Sequence, residues 1–183
     1  MPDTHGVDLV SDMSSNILSK PIDVSKYALI FAGAQKNMGP SGVTVVIVRD
    51  DLISDDVMNI TPYVMQYKKQ VENDSRFNTP SCYGIYLCGK MFKWLKKIGG
   101  LKVIKELNAD KARTLYEYID ESRLFKGTVD RMYRSRMNVT FTTGNPDLDM
   151  TFVEDSKKYG FVSIKGHRFV GGLRASLYNA IPK

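Results

Sequence analysis

The sequence predicts an α/β fold, because two apolar runs precede two amphipathic helices. Residues 27–32 and 42–48 are nearly continuous apolar segments, as strands covered on both faces should be. Residues 85–98 and 101–119 instead carry apolar side chains at spacings of three and four, the period of a helix packed on one side. Strands, helices and then mixed elements together indicate an α/β chain.

Shorter signals predict three further features of the first half. Residues 6–11 alternate apolar and polar side chains, which predicts a strand that delivers Asp12 at its end. Residues 52–80 are polar and irregular, which favours an extended loop. The pair Gly99 and Gly100 is expected to end the first long helix.

The last third of the chain predicts a mixed α/β region. A β-rich stretch covers residues 137–143, and a short helix is expected at 147–159. Two strands, 161–164 and 172–177, are expected on either side of a loop at 165–171.

Composition excludes several classes of protein. The chain has 183 residues, 26 Lys+Arg and 20 Asp+Glu, which gives a net charge of +6, and 43% of the residues are hydrophobic. These values are typical of a globular protein and exclude a disordered or collagen-like chain. The longest apolar run, residues 43–48, is too short to span a membrane, and the N-terminus lacks the features of a signal peptide. The charge alone leaves nucleic acid, a membrane surface and small anions open as partners.

Cysteine and histidine usage indicates a reducing compartment and no metal centre. Cys82 and Cys88 lie in one predicted helix, so they cannot form a disulfide framework, and the cytoplasm is the expected location. The histidines are His5 and His167, and the sequence has no CxxC pair. A zinc site would have to recruit scattered ligands, so we predict no metal.

Lys36 is the first candidate for chemistry. It lies in a loop between the two apolar runs, among small residues that would let a bulky ligand approach the backbone. A lysine held between two buried strands favours the neutral amine that Schiff-base chemistry with an aldehyde requires. A solvated lysine in a surface turn is the alternative.

Asp12 is the candidate partner of Lys36. A carboxylate at the end of a strand can pair with the pyridinium nitrogen of a cofactor. It can equally cap the next element, because Ser14, Ser15 and Asn16 are typical capping residues.

Seven short strings occur in an order and spacing that a known family shares. They are DMSSN at 12–16, SKPIDVSKY at 19–27, AGAQKN at 32–37, GVTVVIVRD at 42–50, NTP at 78–80, KGHR at 165–168 and GGLRASLYNA at 171–180. Together they resemble phosphoserine aminotransferases, pyridoxal-phosphate enzymes of serine biosynthesis, over nearly the whole chain. The resemblance implies a partial PLP-transferase fold of type I. Residues 1–107 would then be the C-terminal part of the large, mostly parallel sheet domain, and residues 108–183 the small domain that closes on the substrate.

The resemblance also assigns roles around the cofactor, pyridoxal 5′-phosphate. Lys36 would be the lysine that attaches to the cofactor and moves the substrate proton, and Asp12 would keep the pyridine nitrogen protonated. Gln35 would contact the cofactor. Asn78 and Thr79 match a pair that binds the cofactor phosphate from the other subunit, which implies a homodimer with a shared active site.

On the substrate side, Arg174 matches the arginine that binds the α-carboxylate through its planar fork. His167 and Arg168 match the pair that receives the phosphate of phosphoserine or the side-chain carboxylate of glutamate. The implied reaction is the reversible transamination of 3-phosphohydroxypyruvate with L-glutamate to O-phospho-L-serine and 2-oxoglutarate. A loop histidine with a local hydrogen bond and two surface arginines are the alternatives.

The chain departs from the family pattern at both ends. The aromatic residue that stacks on the cofactor and the glycine-rich phosphate turn precede the segment matched by Asp12, and Trp94, in a helix, cannot be assigned the stacking role. The family's last helix, beyond Ile181, is also missing, so we expect the C-terminal half of such an enzyme.

Two other functions stay open. One is a catalytically incomplete chain that folds, dimerises or binds anions, and the other is a related PLP aminotransferase with another substrate, such as an alanine–glyoxylate aminotransferase. A cysteine desulfurase is disfavoured, because Cys82 and Cys88 belong to a predicted helix rather than to a mobile loop.

A basic stretch at residues 90–97, continued by Lys102 and Lys105, interleaves lysines with aromatic residues. Nucleic-acid and membrane-surface binding are both conceivable for such a pattern. Its apolar residues fall on one helical stripe, so a buried face with a solvated lysine face explains it better. We therefore predict small-molecule substrates, and neither nucleic acid nor a membrane as a partner.

Overall fold

The computed structural model describes residues 2–183, which form two compact units. The described residues up to Lys97 make the first unit, and Ile98–Lys183 make the second. Each unit has its own sheet and its own apolar core. The boundary expected from the sequence, at 107/108, lies further along the chain, inside the helix Gly100–Glu121.

The first unit is built on a three-stranded sheet. Its strands are β1, Val10–Asp12, β2, Leu29–Gly33, and β3, Thr44–Val48, in the order β1-β2-β3. β1 runs parallel to β2, and β3 runs antiparallel to it. The two strands predicted from the apolar runs are confirmed. The first strand is shorter than the predicted 6–11, but it does end at Asp12.

The two apolar runs are not covered on both faces by the described residues, contrary to the sequence prediction. Along β2, Ile30 and Ala32 are each 1% exposed and pack with the core of the first unit. Phe31 and Val46, which are partners in register, are 36% and 37% exposed. Successive side chains of a strand point to opposite faces, so one face of this sheet carries the core and the other is open.

Two helices follow the sheet. The short helix α1, Tyr67–Glu72, lies within the stretch that the sequence predicted to be an irregular loop, so that prediction is wrong at this point. The long helix α2, Cys82–Lys97, is confirmed, and it ends before Gly99, whose φ of 109° suits glycine.

The buried stripe of α2 differs from the predicted one. Gly84, Cys88 and Leu95 are buried at helical spacing, whereas Ile85 and Phe92 are 50% and 38% exposed. Cys88 lies in the core cluster that also holds the buried residues of β2. The buried face of α2 is therefore narrow, with small residues at Gly84 and Cys88 and a large one only at Leu95.

The second unit starts with a long helix and continues with a second sheet. Its helices are α3, Gly100–Glu121, and α4, Pro146–Lys158. Its strands are β4, Lys126–Gly127, β5, Asn138–Thr142, β6, Lys165–His167, and β7, Gly171–Ser176. The strand order is β4-β5-β7-β6, with antiparallel pairing throughout. Three edge-to-face phenylalanines, Phe125, Phe141 and Phe152, form the centre of its core.

The strand predicted at 161–164 is absent from the structure, and its place is taken by β6. Ser163 has a φ of 59°, a left-handed conformation that interrupts an extended chain. The residues predicted as a loop instead form a hairpin, in which β6 pairs with β7. Gly166 permits this close pairing, because a Cβ there would clash with the carbonyl oxygen of Gly171.

The chain after β7 is held against α3 by buried polar groups. The Nζ of Lys111, a residue 8% exposed, donates hydrogen bonds to the carbonyl oxygens of Leu177, Tyr178 and Ile181 at 3.1, 3.0 and 2.8 Å. Burial lowers the pKa of Lys111. Across residues 2–183, no helix combines the length and the apolar character needed to cross a membrane.

Candidate active site

Asp12 ends β1, and its carboxylate is held by Ser14. The Ser14 amide donates to Asp12 Oδ1 at 2.8 Å. The side-chain hydrogen bond with Ser14, that backbone hydrogen bond and, more weakly, the charge of Lys36 lower the pKa of Asp12 below 3.8, against a small opposing effect of burial. The carboxylate therefore caps the turn that follows it and is also kept anionic and accessible.

Lys36 lies in a tight loop that follows β2. The amides of Met38 and Gly39 both donate to the carbonyl oxygen of Ala34, at 3.0 and 2.8 Å. Ala34 and Met38 are buried, whereas Lys36 is exposed. The expectation that Lys36 is buried between two strands is therefore wrong: its loop is anchored by its neighbours and presents the amine to solvent.

A glycine lets α2 pack closely on this loop. A Cβ at Gly39 would lie 2.7 Å from Cys88 Sγ on α2, closer than real atoms come. Helix α2 therefore packs directly against the lysine loop, and the small residue at Gly39 permits this packing.

The topology brings Asp12 and Lys36 to the same edge of the first sheet. β1 and β2 are parallel, so Asp12 at the end of β1 and the loop after β2 project from the same edge. This is where open α/β sheets bind ligands. An anionic carboxylate and an accessible amine at this edge can accept a ring N–H and attack an aldehyde carbon.

Three further sequence candidates lie on exposed parts of the first unit. Gln35 precedes Lys36 and is exposed. Asn78 and Thr79 are exposed in the segment before α2, and the Asn78 side chain donates to the Thr79 carbonyl oxygen at 3.5 Å. Their side chains are thus accessible to a ligand or to another chain.

In the second unit the hairpin of β6 and β7 carries all three arginine and histidine candidates. His167 ends β6, and its Nδ1 accepts a hydrogen bond from the Phe169 amide at 3.3 Å. The Arg168 guanidinium stacks 4.5 Å from the centre of the Phe169 ring. Both side chains are exposed, and they share an aromatic neighbour.

Arg174 differs from these two residues because it lies within the sheet. It belongs to β7 opposite Thr140, and its amide donates to the Ile164 carbonyl oxygen at 2.7 Å. Its Nε is buried and has no hydrogen-bond partner among the described residues. A buried donor of this kind costs free energy unless a ligand or another group satisfies it.

The second unit also contains an apolar cavity of about 430 Å³ beside Arg174. Aliphatic and aromatic side chains dominate its lining: Leu115, Phe125, Phe152, Ile164 and Leu177. Such a lining suits hydrophobic groups rather than a phosphate. The cavity does not account for the cationic residues of the hairpin.

Two residues that support the lysine loop were not predicted as site residues. Asn37 is 2% exposed and donates to backbone carbonyls of the turn after Asp12. Ser14, which the sequence suggested as a capping residue, also accepts a hydrogen bond from the Gly33 amide at 2.9 Å. In the sequence, Asn37 could have been noticed as a polar residue that directly follows the candidate lysine and precedes the apolar Met38.

The fold and the paired edge residues define a class of protein. The chain belongs to the class-V aminotransferase family, whose family model matches residues 2–183. Its similarity to a particular member is high: it is 52% identical over 181 residues to the phosphoserine aminotransferase of Haemophilus influenzae. That alignment covers 99% of this chain and 50% of the relative, so the chain spans about half the length of the curated relatives it matches.

Solved structures agree with the sequence comparison. A phosphoserine aminotransferase from Bacillus circulans subsp. alkalophilus superposes with a TM-score of 0.92 at 48% identity, covering 99% of this chain and 50% of that one. A PLP-bound phosphoserine aminotransferase from Trichomonas vaginalis superposes with a TM-score of 0.93 at 41% identity, covering 100% and 52%. The chain therefore has the fold of about half of a type I PLP-dependent aminotransferase, as the sequence predicted.

Proposed function

We propose that this chain carries the part of a phosphoserine aminotransferase active site that contains the cofactor-binding lysine. The reaction is the reversible transfer of an amino group between L-glutamate and 3-phosphohydroxypyruvate, giving 2-oxoglutarate and O-phospho-L-serine for L-serine biosynthesis. The observation that carries the proposal is the pair at the edge of the first sheet, an exposed Lys36 beside an Asp12 whose carboxylate is held anionic. The similarity to enzymes of that name supports the choice of substrates.

The residues of this edge suit pyridoxal 5′-phosphate. Asp12, whose pKa is lowered by Ser14, can accept the N–H of a protonated pyridine ring. Lys36 offers an accessible amine to the aldehyde, and Gln35 lies next to it. When bound, the cofactor withdraws electrons from the substrate Cα and so makes its proton removable.

The chain's own side chains then divide the work. Lys36 Nζ would remove the proton from the substrate Cα and deliver it to the former aldehyde carbon of the cofactor, which requires an amine on a mobile side chain. The Arg174 guanidinium binds the α-carboxylate, and this contact would satisfy its buried Nε. His167 and Arg168 bind the phosphate or the second carboxylate, because two acidic groups can share one cationic pocket.

We infer that the site is shared in a homodimer. A segment before Asn78 exposes large apolar side chains, with Met58 73%, Ile60 84% and Tyr63 67% exposed. Such a patch is typical of a surface covered by another protein. A second copy of this chain is the proposed partner, with Asn78 and Thr79 reaching the cofactor phosphate of the neighbouring subunit. We also infer a cytoplasmic location, which the free thiols of Cys82 and Cys88 support.

Covalent trapping of the cofactor tests the proposal directly. The purified chain is incubated with one equivalent of pyridoxal phosphate, reduced with borohydride and digested, and the modified lysine is identified by mass spectrometry. We expect selective modification of Lys36, and complete loss of that modification in Lys36→Ala. Lys26→Ala, which removes another exposed lysine of the same unit, is the matched control and should leave the labelling of Lys36 unchanged.

Scattered labelling of surface lysines would contradict the proposed function. It would favour the alternative of an incomplete chain that retains the family's residues without a working cofactor site. A salt-sensitive affinity for polyanions without coloured cofactor would then identify an anion-binding module.

A mixing experiment tests the shared site. Chains carrying Asn78→Ala and Thr79→Ala together keep Lys36 but lose the phosphate-binding pair, whereas Lys36→Ala chains keep the pair. Mixing the two should restore labelling of Lys36 at limiting cofactor. Each heterodimer then has one site in which Lys36 of one subunit meets Asn78 and Thr79 of the other. No restoration, despite exchange of subunits shown by native mass spectrometry, would mean that each subunit binds the phosphate with its own residues.

A further inference from the structure

Asn37 is a buried polar side chain that the proposed reaction does not use. It is 2% exposed, and its Nδ2 donates to the carbonyl oxygens of Ile17 at 3.0 Å and of Ser15 at 3.4 Å. Burying an amide costs free energy unless it is hydrogen-bonded, so the side chain is held by these contacts. Asn37 therefore joins the backbone directly after Lys36 to a turn that lies about 20 residues earlier in the chain.

That turn is the one that follows Asp12. The Met13 amide donates to the Phe31 carbonyl oxygen at 2.8 Å, and the Ile17 amide donates to the Met13 carbonyl oxygen at 2.8 Å. The turn is thereby attached to β2 at its start and closed on itself. The carbonyl groups that Asn37 holds belong to the same turn, just beyond the Asp12 carboxylate.

A second contact crosses between the same two segments. Ser14 Oγ accepts a hydrogen bond from the Gly33 amide at 2.9 Å, at the point where β2 enters the lysine loop. Ser14 thus connects the entrance of the loop to Asp12, and Asn37 connects the other side of Lys36 to the same turn. Lys36 lies between these two connections.

The Lys36 side chain itself is exposed and flexible, so its position depends on its backbone. A reacting group displaced by about 1 Å can lose about a hundredfold in rate. A contact that fixes the Lys36 Cα relative to Asp12 therefore limits the distances that the amine can adopt from the carboxylate.

We propose that Asn37 is a positioning residue that holds the Lys36 loop against the turn after Asp12. This inference rests on the proposed function, in which Lys36 and Asp12 act on one cofactor. Asn37 acts through the backbone of Lys36 and touches neither substrate nor cofactor.

Three variants test this role. Asn37→Ala removes the amide, and Asn37→Ser keeps a shorter hydrogen-bond donor. Asn73→Ala is the matched control, because Asn73 is an exposed asparagine of the same unit whose Nδ2 also donates to a backbone carbonyl, that of Lys69, at 2.8 Å. Each protein is measured twice: by hydrogen exchange of the chain without cofactor, and by selective labelling of Lys36 with pyridoxal phosphate and borohydride.

We expect two effects of Asn37→Ala. Amide exchange in residues 13–19 should rise about five- to tenfold, because the hydrogen bonds that Asn37 donates to this turn are lost, while exchange in residues 98–183 stays unchanged. The labelling rate of Lys36 should fall about tenfold relative to that of other lysines, as expected for a displaced reacting group. Asn37→Ser should restore part of both values, and Asn73→Ala should change neither.

The outcomes separate this inference from the proposed function. Faster exchange with wild-type labelling of Lys36 would make Asn37 a purely structural residue and overturn the inference, as would unchanged exchange. Scattered labelling in the wild-type chain would overturn the proposed function itself, and with it the role given to Asn37. If Asn37→Ala unfolds, seen as fast exchange throughout the first unit, Asn37→Ser decides by the same two measurements.

Discussion

The two groups of candidate residues are held in opposite ways. In the first unit, Asp12 and Lys36 lie on segments that are joined by buried hydrogen bonds through Asn37 and Ser14. In the second unit, the Arg168 side chain lies on an exposed hairpin turn and stacks on its neighbour's ring. Under the proposed function this difference has a reason: one pair must keep a cofactor ring fixed, whereas the hairpin receives two different acidic substrates and gains from adaptable side chains.

Arg174 occupies an intermediate place in this comparison. It shares the hairpin with Arg168 but lies in β7, half-buried, with its Nε unpartnered among the described residues. The α-carboxylate that it would bind is common to both amino-acid substrates, so this contact has no need to adapt. Under the proposed function, the more buried of the two arginines is thus the one whose bound group is the same in both substrates.

The largest effect is expected for Arg174→Lys. Lysine keeps the charge but loses the planar fork, so kcat/KM for O-phospho-L-serine and for L-glutamate should both fall about 10- to 100-fold, the range for lost charged hydrogen bonds. The measurement is steady-state transamination by the cofactor-loaded chain. Arg123→Lys, at an exposed arginine of the same unit, should leave both values unchanged. A loss confined to one substrate would contradict binding of the shared carboxylate.

A smaller and more selective effect is expected for Arg168→Ala. The variant should lose about tenfold in kcat/KM for O-phospho-L-serine and less than about twofold for L-alanine, because alanine has no second anionic group. Its melting temperature should stay within about 2 °C of the wild-type value, since exposed side chains contribute little to stability. Equal losses for both substrates would remove the proposed phosphate role. A large fall in melting temperature would show that Arg168 stabilises the fold beyond its contact with Phe169.

Much of the fold could be predicted from the sequence because its signals are local. The strand pair around Lys36 follows from two continuous apolar runs, the helices α2 and α3 from apolar periodicity, and β5 from a β-rich stretch. The errors at β6 and α2 arose where close backbone packing against another segment decides the local structure. Strand β6 exists because Gly166 can approach Gly171, and the buried stripe of α2 favours Gly84 and Cys88 because a closely packed loop leaves no room for larger residues.

The candidate site shows the same difference between local sequence signals and contacts between segments. The fold that the family resemblance implied is confirmed. The roles of Lys36, Asp12 and Arg174, which were predicted from residue type and from that resemblance, stay predictions. The support of the site could not be predicted, because it consists of hydrogen bonds between side chains and backbone groups some 20 residues apart. An asparagine has the same letter in the sequence whether its amide meets water or, as in Asn37, two buried carbonyl groups.

The smallest and most specific effect is expected for Ser14→Ala. Hydrogen bonds from Ser14 lower the pKa of Asp12, so removing the hydroxyl should raise that pKa toward 3.8, while the Ser14 amide and the charge of Lys36 still hold it below. A carboxyl group with a lowered pKa stabilises the fold above pH 3.8, and that contribution disappears as the pH falls through the folded-state pKa. The variant should therefore lose less stability on acidification. Carbon NMR titration of the Asp12 carboxyl group measures the shift.

Asp23 and Ser25 provide a matched control, because the Ser25 amide and hydroxyl donate to Asp23 in the same two-residue arrangement. Ser25→Ala should raise the pKa of Asp23 in the same direction. Only Ser14→Ala should also speed exchange of the Gly33 amide, since Ser14 alone of the two serines accepts a hydrogen bond from the strand that leads to Lys36. If both variants gave the same carboxyl shift and neither changed Gly33, Ser14 would be an ordinary turn residue. Of the two contacts, only that of Asn37 would then hold the segments of Asp12 and Lys36 together more firmly than the hairpin of β6 and β7 is held.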